Sequence, residues 1–514
     1  MSEKTTALPK HRSFTGCYAD VNQIKPLTMD NRRIMVWFRN DLRIQDHEAL
    51  YRASLKDKEV VPIYIIDPRV YEANQFGIPR IGPYRRQFLT QTIENLRQNL
   101  RSIGAELFIR VGHPETIIPD LVKALDVDTL YAHKEITSEE TEIESLLEAS
   151  LEKKGILTQW FDGSTLIHPT ELPFPLKFLP DVFTEFRKQV EKSSKISSPF
   201  PAPTKIKVPG GIQVGNVDIP TLQTDNLMLA SANLVPNLGK NEFVGGETAA
   251  LARLEHYFWE TDQLKNYKET RNGLLGMDYS SKFSPWLAVG AISPRYIYHQ
   301  VKQYEVKRHN NDSTYWLIFE LLWRDYFKFV AKKFGNTLFR RAGIKNVNLK
   351  FRNSPELFSK WSSGQTGAPF VDANMRELLA TGFMSNRGRQ NVASYFIKDL
   401  GLNWQLGAAW FEYLLVDYDP CSNWGNWNYM AGCGNDPREN RYFNIAKQAE
   451  TYDPKGQYVK TWLTILAKVP AYRLNHPDEW TRQEQEEFGV KLGQHYPHPI
   501  QTGVRTNQLQ KQVA

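Results

Sequence analysis

The sequence predicts an α/β N-terminal domain with a parallel, Rossmann-like sheet, followed by an all-α C-terminal domain. Three observations predict it. Residues 32–160 alternate short apolar runs with amphipathic stretches, the pattern of strands separated by helices. Residues 161–245 lose that periodicity and carry runs of Pro, Gly and Ser. Residues 246–490 return to apolar spacing of helical period. A chain of 514 residues also exceeds what one core usually serves, so two domains and a connector are expected.

Taken in order, residues 1–31 are polar and lack the apolar centre of a secretory signal, so they read as an N-terminal extension. Acidic Glu3, Asp20 and Asp30 weigh against organelle targeting. Strands are expected at Ile34-Met-Val-Trp-Phe38, Val60-Val-Pro-Ile-Tyr-Ile-Ile66, Glu106-Leu-Phe-Ile-Arg-Val111 and Thr129-Leu-Tyr-Ala132. Between them, residues 86–100 place Phe88, Leu89, Ile93, Leu96 and Leu100 at helical spacing. Short runs apolar on both faces belong to a parallel sheet covered by helices. No G-x-G-x-x-G follows any of them, so the standard dinucleotide fingerprint is absent. The connector, with Phe174-Pro-Leu, the Ser/Pro run at 193–203 and Pro209-Gly-Gly, is expected to be mostly irregular. Helices are expected at 249–262, 316–334, 377–379 and 391–400, and residues 491–514 as a poorly ordered polar tail.

Composition sets the class. Hydrophobic residues are 41% and charged residues 24%, and no stretch reaches the roughly 20 apolar residues of a membrane span. No membrane partner is expected. The three cysteines, Cys17, Cys421 and Cys433, form no CxxC pair and have no histidine at ligand spacing. Neither a disulfide nor a metal site is expected, and a reducing, cytoplasmic location fits. The net charge of +7 is compatible with a nucleic-acid partner.

Four segments carry chemistry. In Asp417-Tyr-Asp-Pro-Cys-Ser-Asn-Trp-Gly-Asn-Trp-Asn-Tyr429, Asp419 and Pro420 read as an N-cap and first helical residue. Asn423 and Trp427 then share one helix face, and the helix N-terminus favours an anion such as a reduced flavin ring. In Tyr267-x-x-x-Arg271 and Tyr279-Ser-Ser-Lys-Phe-Ser-Pro-Trp286, hydroxyls and turn amides before a helix start at Ser284-Pro285 suit phosphate oxygens. In Glu320-Leu-Leu-Trp-Arg-Asp325, an acid, a flat aromatic and a cation share one helix face, which suits a flipped base. The window 320–352 holds nine Lys/Arg against two acids, interleaved with aromatics, as a single-strand binding surface requires. In Asn386-Arg-Gly-Arg389, Arg389 can pair with Asp417 and fix it as an ionised acceptor. Each segment alone is equally what capped turns and a basic helix over an aromatic core would give.

Together the segments resemble the photolyase/cryptochrome family from residue 32 to 496. The matching motifs are Trp37-Phe-Arg-Asn-Asp-Leu-Arg43, Lys268-Glu-Thr-Arg-Asn-Gly273, Tyr279 to Trp286, Phe383-Met-Ser-Asn-Arg-Gly-Arg-Gln390, Asp417 to Tyr429 and Gly434-Asn-Asp-Pro437. The forms Ser-Asn-Arg-Gly-Arg and Ser-Asn-Trp-Gly-Asn-Trp-Asn-Tyr resemble the DASH-type cryptochrome branch.

The resemblance implies an all-α FAD-binding domain holding a bent FAD. Tyr267, Arg271, Ser280, Ser281, Lys282, Phe283 and Ser284 match residues around its phosphates. Arg389, Asp417 and Asp419 match those around ring and sugar, and Asn423 the residue facing the flavin N5. The N-terminal domain would carry an antenna, 5,10-methenyltetrahydrofolate, with Glu135 matching the carboxylate that contacts its pterin. The implied activity is light-driven repair of cyclobutane pyrimidine dimers in single-stranded DNA. The antenna passes energy to reduced flavin, an electron goes to the dimer, the ring splits, and the electron returns. Glu320 matches the acid that steadies the dimer radical anion, Trp323 a base-stacking residue, and Asn386 a cavity residue. A monomer is expected.

Two positions depart from the family pattern. Tyr429 stands where a double-strand photolyase has a second lesion-stacking tryptophan, and a smaller stacking face favours single strands, where flipping costs little. Of the three tryptophans that relay electrons to the flavin, Trp427 and Trp404 match the inner and middle members, but the outer position falls on Phe351. Slower photoreduction is expected, or a route through tyrosine or another tryptophan such as Trp410. The competing function is a blue-light photoreceptor that binds DNA or a partner and regulates transcription; a blander one is a nucleic-acid-binding flavoprotein. Retention of Glu320, Trp323 and Asn386 and a short tail favour repair.

Overall fold

Five strands, β1 (Arg33–Phe38), β2 (Val60–Ile66), β3 (Phe108–Val111), β4 (Val127–His133) and β5 (Leu157–Phe161), form one sheet in the order β3-β2-β1-β4-β5. Every pairing is parallel. The computed structural model describes residues 33–210, 242–438 and 441–501; the N-terminal extension, part of the connector and the end of the tail lie outside them. β1 is buried along its whole length, as a central parallel strand covered on both faces must be. One face packs on α1 (Glu48–Ser54) and on α2 (Pro83–Ser102), whose Phe88, Thr92, Ile93, Leu96 and Leu100 are buried at helical spacing. The other packs on α3 (Pro114–Ala124) and α4 (Ser138–Glu152) through Ile118, Val122, Leu147 and Leu151.

In such a sheet ligands usually enter the crevice at the carboxyl ends of the strands, where the order reverses. Here that point lies between β1 and β4, and side chains fill it. Asp41, His47 and His133 are all buried, with His133 Nδ1 at 2.6 Å and His47 Nε2 at 2.9 Å from Asp41 Oδ2. They form the one cluster of three potential metal ligands among the described residues. These separations are too short for a shared ion, because tetrahedral ligands about 2.1 Å from zinc lie about 3.4 Å apart. The tautomer agrees. His47 Nδ1 accepts the Leu50 N–H at 3.0 Å as the N-cap of α1, which leaves the ring proton on Nε2, facing the carboxylate.

The connector differs from the irregular chain expected. It carries α5 (Phe183–Ser193), which buries Phe183, Phe186 and Val190. Residues 491–501, expected in the polar tail, pack down: Tyr496 is buried and donates to Asp372 at 2.6 Å, and the Ile500 N–H reaches Thr366 O at 3.0 Å. Helices dominate from Glu247–Glu255 onward. The longest, Asp312–Phe334, starts at an Asn311 capping box and ends at Gly335, where φ is +52°.

One hydrophobic cluster runs from Val36 and Phe38 of β1 to Trp404 and Trp427, so the two halves share a core. Buried polar side chains lock the junction. Asp46 pairs with Arg295 at 2.8 Å. Glu247 accepts the Ile44 and Gln45 N–H groups at 3.0 and 2.8 Å. Asp325 accepts those of Leu166 and Ile167 at 2.9 and 2.8 Å. Each carboxylate on one half thus satisfies donors on the other, which fixes how the domains dock.

Candidate functional site

Helix ends build the site. Asp419 caps the Pro420–Ala431 helix, its carboxylate accepting the Ser422 N–H at 2.7 Å with Pro420 in the first turn. The helix start expected at Ser284-Pro285 is present as Ser284–Ala288. Just before it, Lys282 has φ +59° and Phe283 follows at φ −73°. Alternating hands of this kind turn successive N–H groups to one side, forming an anion-binding nest. Arg253 braces the loop, donating to the carbonyls of Ser280 and Ser281 at 2.9 and 3.1 Å. Sequence reasoning missed Arg253, whose position in a plain helix gave no signal.

These elements enclose a cavity of about 520 Å³. Its wall includes Tyr267, Arg271, Ser280 through Ser284, Glu320, Trp323, Asn386, Arg389, Asp417, Asp419, Asn423, Trp427 and Tyr429. Trp404 and Glu135 do not line it. Trp404 is fully buried, donating Nε1–H to Arg341 O at 3.0 Å. Glu135 follows β4 and accepts from Asn40 Nδ2 at 3.0 Å, within electrostatic reach of Lys328 and Cys421 of the helical half.

Arg389 and Asp417 meet at 2.8 Å, and Ser284 Oγ donates to the same carboxylate oxygen at 2.6 Å. The other oxygen, Asp417 Oδ1, is buried without a hydrogen-bond partner. A buried acceptor left unmet on a cavity wall fits a ligand that carries a donor there. Burial works to raise the pKa of Asp419, but Lys328, 3.3 Å away, with Arg324 and the Ser422 N–H, holds it down to about 2. Lys328 and Arg324 are one helical turn apart on the Asp312–Phe334 helix, a spacing visible in the sequence but unassigned there. Asn423 donates Nδ2–H to Ala408 O at 3.0 Å, which leaves its carbonyl oxygen as the free end of the amide.

At the far wall, Arg271 pairs with Glu320. Desolvation pushes the Glu320 carboxyl up, while Arg271 and the neighbouring Trp316 oppose the shift. Trp323 meets Tyr429 edge to face at 6.2 Å, and Arg441 donates to the Tyr429 hydroxyl at 3.1 Å. Trp427 stands on Gly407 and lies 6.3 Å from fully buried Trp361. Phe351 is half-buried, with the Arg341 guanidinium 5.1 Å over its ring. Trp404 instead meets Trp424 edge to face at 5.8 Å.

Known proteins match both halves of this architecture. Residues 34–204 match the family model described as DNA photolyase, and residues 316–512 that described as FAD binding domain of DNA photolyase. A cryptochrome DASH of Gloeobacter violaceus is 51% identical over 472 residues, covering 92% of this chain and 93% of its own. The crystal structure of a Synechocystis cryptochrome superimposes with a TM-score of 0.87 at 47% identity, covering 95% of this chain and all of that one. A class III photolyase of Agrobacterium tumefaciens matches with a TM-score of 0.80 at 28% identity, over 95% of this chain and 97% of its own. Among the described residues no helix is long and apolar enough to cross a membrane. With an FAD-binding domain whose cavity presents an anion nest and an unmet acceptor, the chain belongs to the photolyase/cryptochrome family, in its DASH branch.

Proposed function

We propose that the protein repairs cyclobutane pyrimidine dimers in single-stranded DNA, using light and reduced FAD. One observation carries the reading: the groups matched to the lesion and those matched to the flavin line one cavity. A single shared cavity brings donor and acceptor within short electron-transfer range. FAD, when bound, supplies the electron.

The chain's own residues do the rest. The Lys282–Phe283 nest, Arg271 and the backbone N–H of Ser284, whose hydroxyl is taken by Asp417, bind phosphate oxygens. Asp417, fixed as an ionised acceptor by Arg389, takes a donor on Oδ1. Asn423 offers its carbonyl oxygen. Glu320, whose carboxyl desolvation pushes up against the pull of its ion pair with Arg271, faces the space assigned to the dimer. Trp323 and Tyr429 wall the lesion, with Asn386 at the rim. The single-strand preference rests on Tyr429, whose face is smaller than that of tryptophan. A 5,10-methenyltetrahydrofolate antenna is assigned to the surface at Glu135, because the sheet's own crevice is filled by Asp41, His47 and His133. The protein acts as a monomer, and the free, buried thiols of Cys421 and Cys433 suit a reducing, cytoplasmic setting.

Illumination of the purified, reduced protein with a dimer-containing single-stranded oligonucleotide tests the reading. Dimer loss well above that of a Glu320→Ala control is expected. No excess over that control would move the assignment to a photoreceptor that binds DNA or a partner.

A further inference from the structure

Trp323, whose ring is also stacked by Phe327 of its own helix at 5.7 Å and 28°, lies against Phe183 of the connector helix α5. The Trp323 and Phe183 rings are parallel to within 13° with centroids 3.7 Å apart. Trp323 lines the cavity; Phe183 does not, and is 4% exposed. The geometry is unusual for a core pair. Aromatic rings prefer edge or offset contacts with centroids about 4.5–7 Å apart, and full face-to-face overlap is the less favoured arrangement. Phe183 meets Phe319 and Tyr326 edge-on, at 5.2 and 5.7 Å, and Phe186 at a tilt, at 6.3 Å.

Something must hold the overlap, and polar staples do. The Tyr326 hydroxyl donates to Asp181 O at 2.6 Å. Lys333 donates to Leu179 O at 2.9 Å and to the Asp181 carboxylate at 3.0 Å. Asn435 donates to Asp181 O at 2.9 Å. Four bonds from two separate elements therefore fix the turn that ends in Phe183, while Phe186 anchors α5 from below at 0% exposure.

We propose that Phe183 is a positioning residue for the lesion: it fixes the plane of Trp323, so that a flipped base closes a three-layer stack of base, Trp323 and Phe183. The assignment rests on the dimer-repair reading above. A tryptophan backed by a rigid wall loses little rotamer freedom on binding, and stacking energy then appears as affinity. The stack acts on bases held in the cavity and not on the phosphate backbone, so its loss should fall on dimer binding more than on backbone-driven binding.

The test uses the full-length flavoprotein and two single-stranded oligonucleotides that differ only by one cyclobutane dimer. Phe183→Leu keeps apolar volume but removes the flat wall; Phe183→Tyr keeps the wall. Phe183→Leu is expected to weaken dimer binding roughly fivefold and leave undamaged-strand binding unchanged, with Phe183→Tyr at the wild-type value. In a Trp323→Ala background, Phe183→Leu is expected to cost nothing further. Unchanged dimer binding by Phe183→Leu, or equal weakening for both strands, overturns the proposal alone. A wild-type protein that binds both strands equally overturns the repair reading itself. Thermal unfolding and flavin absorbance report folding, and Phe183→Met replaces Phe183→Leu if the latter does not fold.

Discussion

Two residues set the chemistry of the cavity out of proportion to their size. Asp417 gives one carboxylate oxygen to Arg389 and Ser284 and leaves the other buried and unmet. Asp417→Asn keeps the shape but strips Arg389 of its counter-charge, and lost charge-assisted bonds cost about 1.5–3 kcal/mol. Flavin affinity is expected to fall between ten- and a hundredfold, measured by titrating apoprotein with FAD; an unchanged affinity would mean the cofactor does not use Oδ1. Gly407 is the other. A Cβ there would lie 2.3 Å from Cη2 of Trp427, in a helix interior that cannot yield. Gly407→Ala should push Trp427 into the cavity and cost about 1–3 kcal/mol of stability. Urea unfolding would measure the cost, and flavin occupancy the displacement.

At the scale of elements, what was legible in the sequence was what local physics dictates. Proline after an N-capping residue fixed Pro420–Ala431, and Ser284-Pro285 marked its short helix, because both signals act within one turn. The apolar runs of β1 and β2 were equally plain. The helix α5 was hidden by its surroundings: Phe183, Phe186 and Val190 have helical spacing, but Pro, Gly and Ser on either side read as loop. The Phe183–Trp323 sandwich and the Arg253 brace join residues far apart in sequence, and no periodicity encodes such contacts. The electron route falls between these cases. The family resemblance assigned Trp427 and Trp404, and the fold shows Trp404 buried beside Trp424, with half-buried Phe351 near Arg341. If Trp404 is the middle relay, Trp404→Phe should slow flavin photoreduction severalfold in the presence of a thiol reductant. Restoring an oxidisable ring with Phe351→Trp should speed it. Equal rates in both variants and wild type would place the route elsewhere, with Trp361 and Trp410 next in line.

The molecule as a whole is held together by carboxylates that bridge its halves, and its acid limit follows from the buried triad at the head of the sheet. His47 is fully buried, and desolvation lowers its pKa from 6.5 to about 4. Asp41 facing it works in the opposite direction, while His133 and Arg43 add to the lowering. In the unfolded chain the same imidazole titrates near 6.5. Between those values the unfolded state binds a proton that the folded state refuses, so stability is full above about pH 6.5 and falls as pH drops towards 4. One such proton is worth about 1.4 kcal/mol per pH unit, or about 3 kcal/mol across the window. His47→Asn keeps an N-cap acceptor for α1 and removes the titration. Urea unfolding of both proteins at pH 7, 6 and 5 should show a shallower loss of stability for His47→Asn, whatever its offset at pH 7. Parallel slopes would mean that His47 takes up its proton without unfolding. The triad of the N-terminal domain would then be a site that takes up a proton within the folded state.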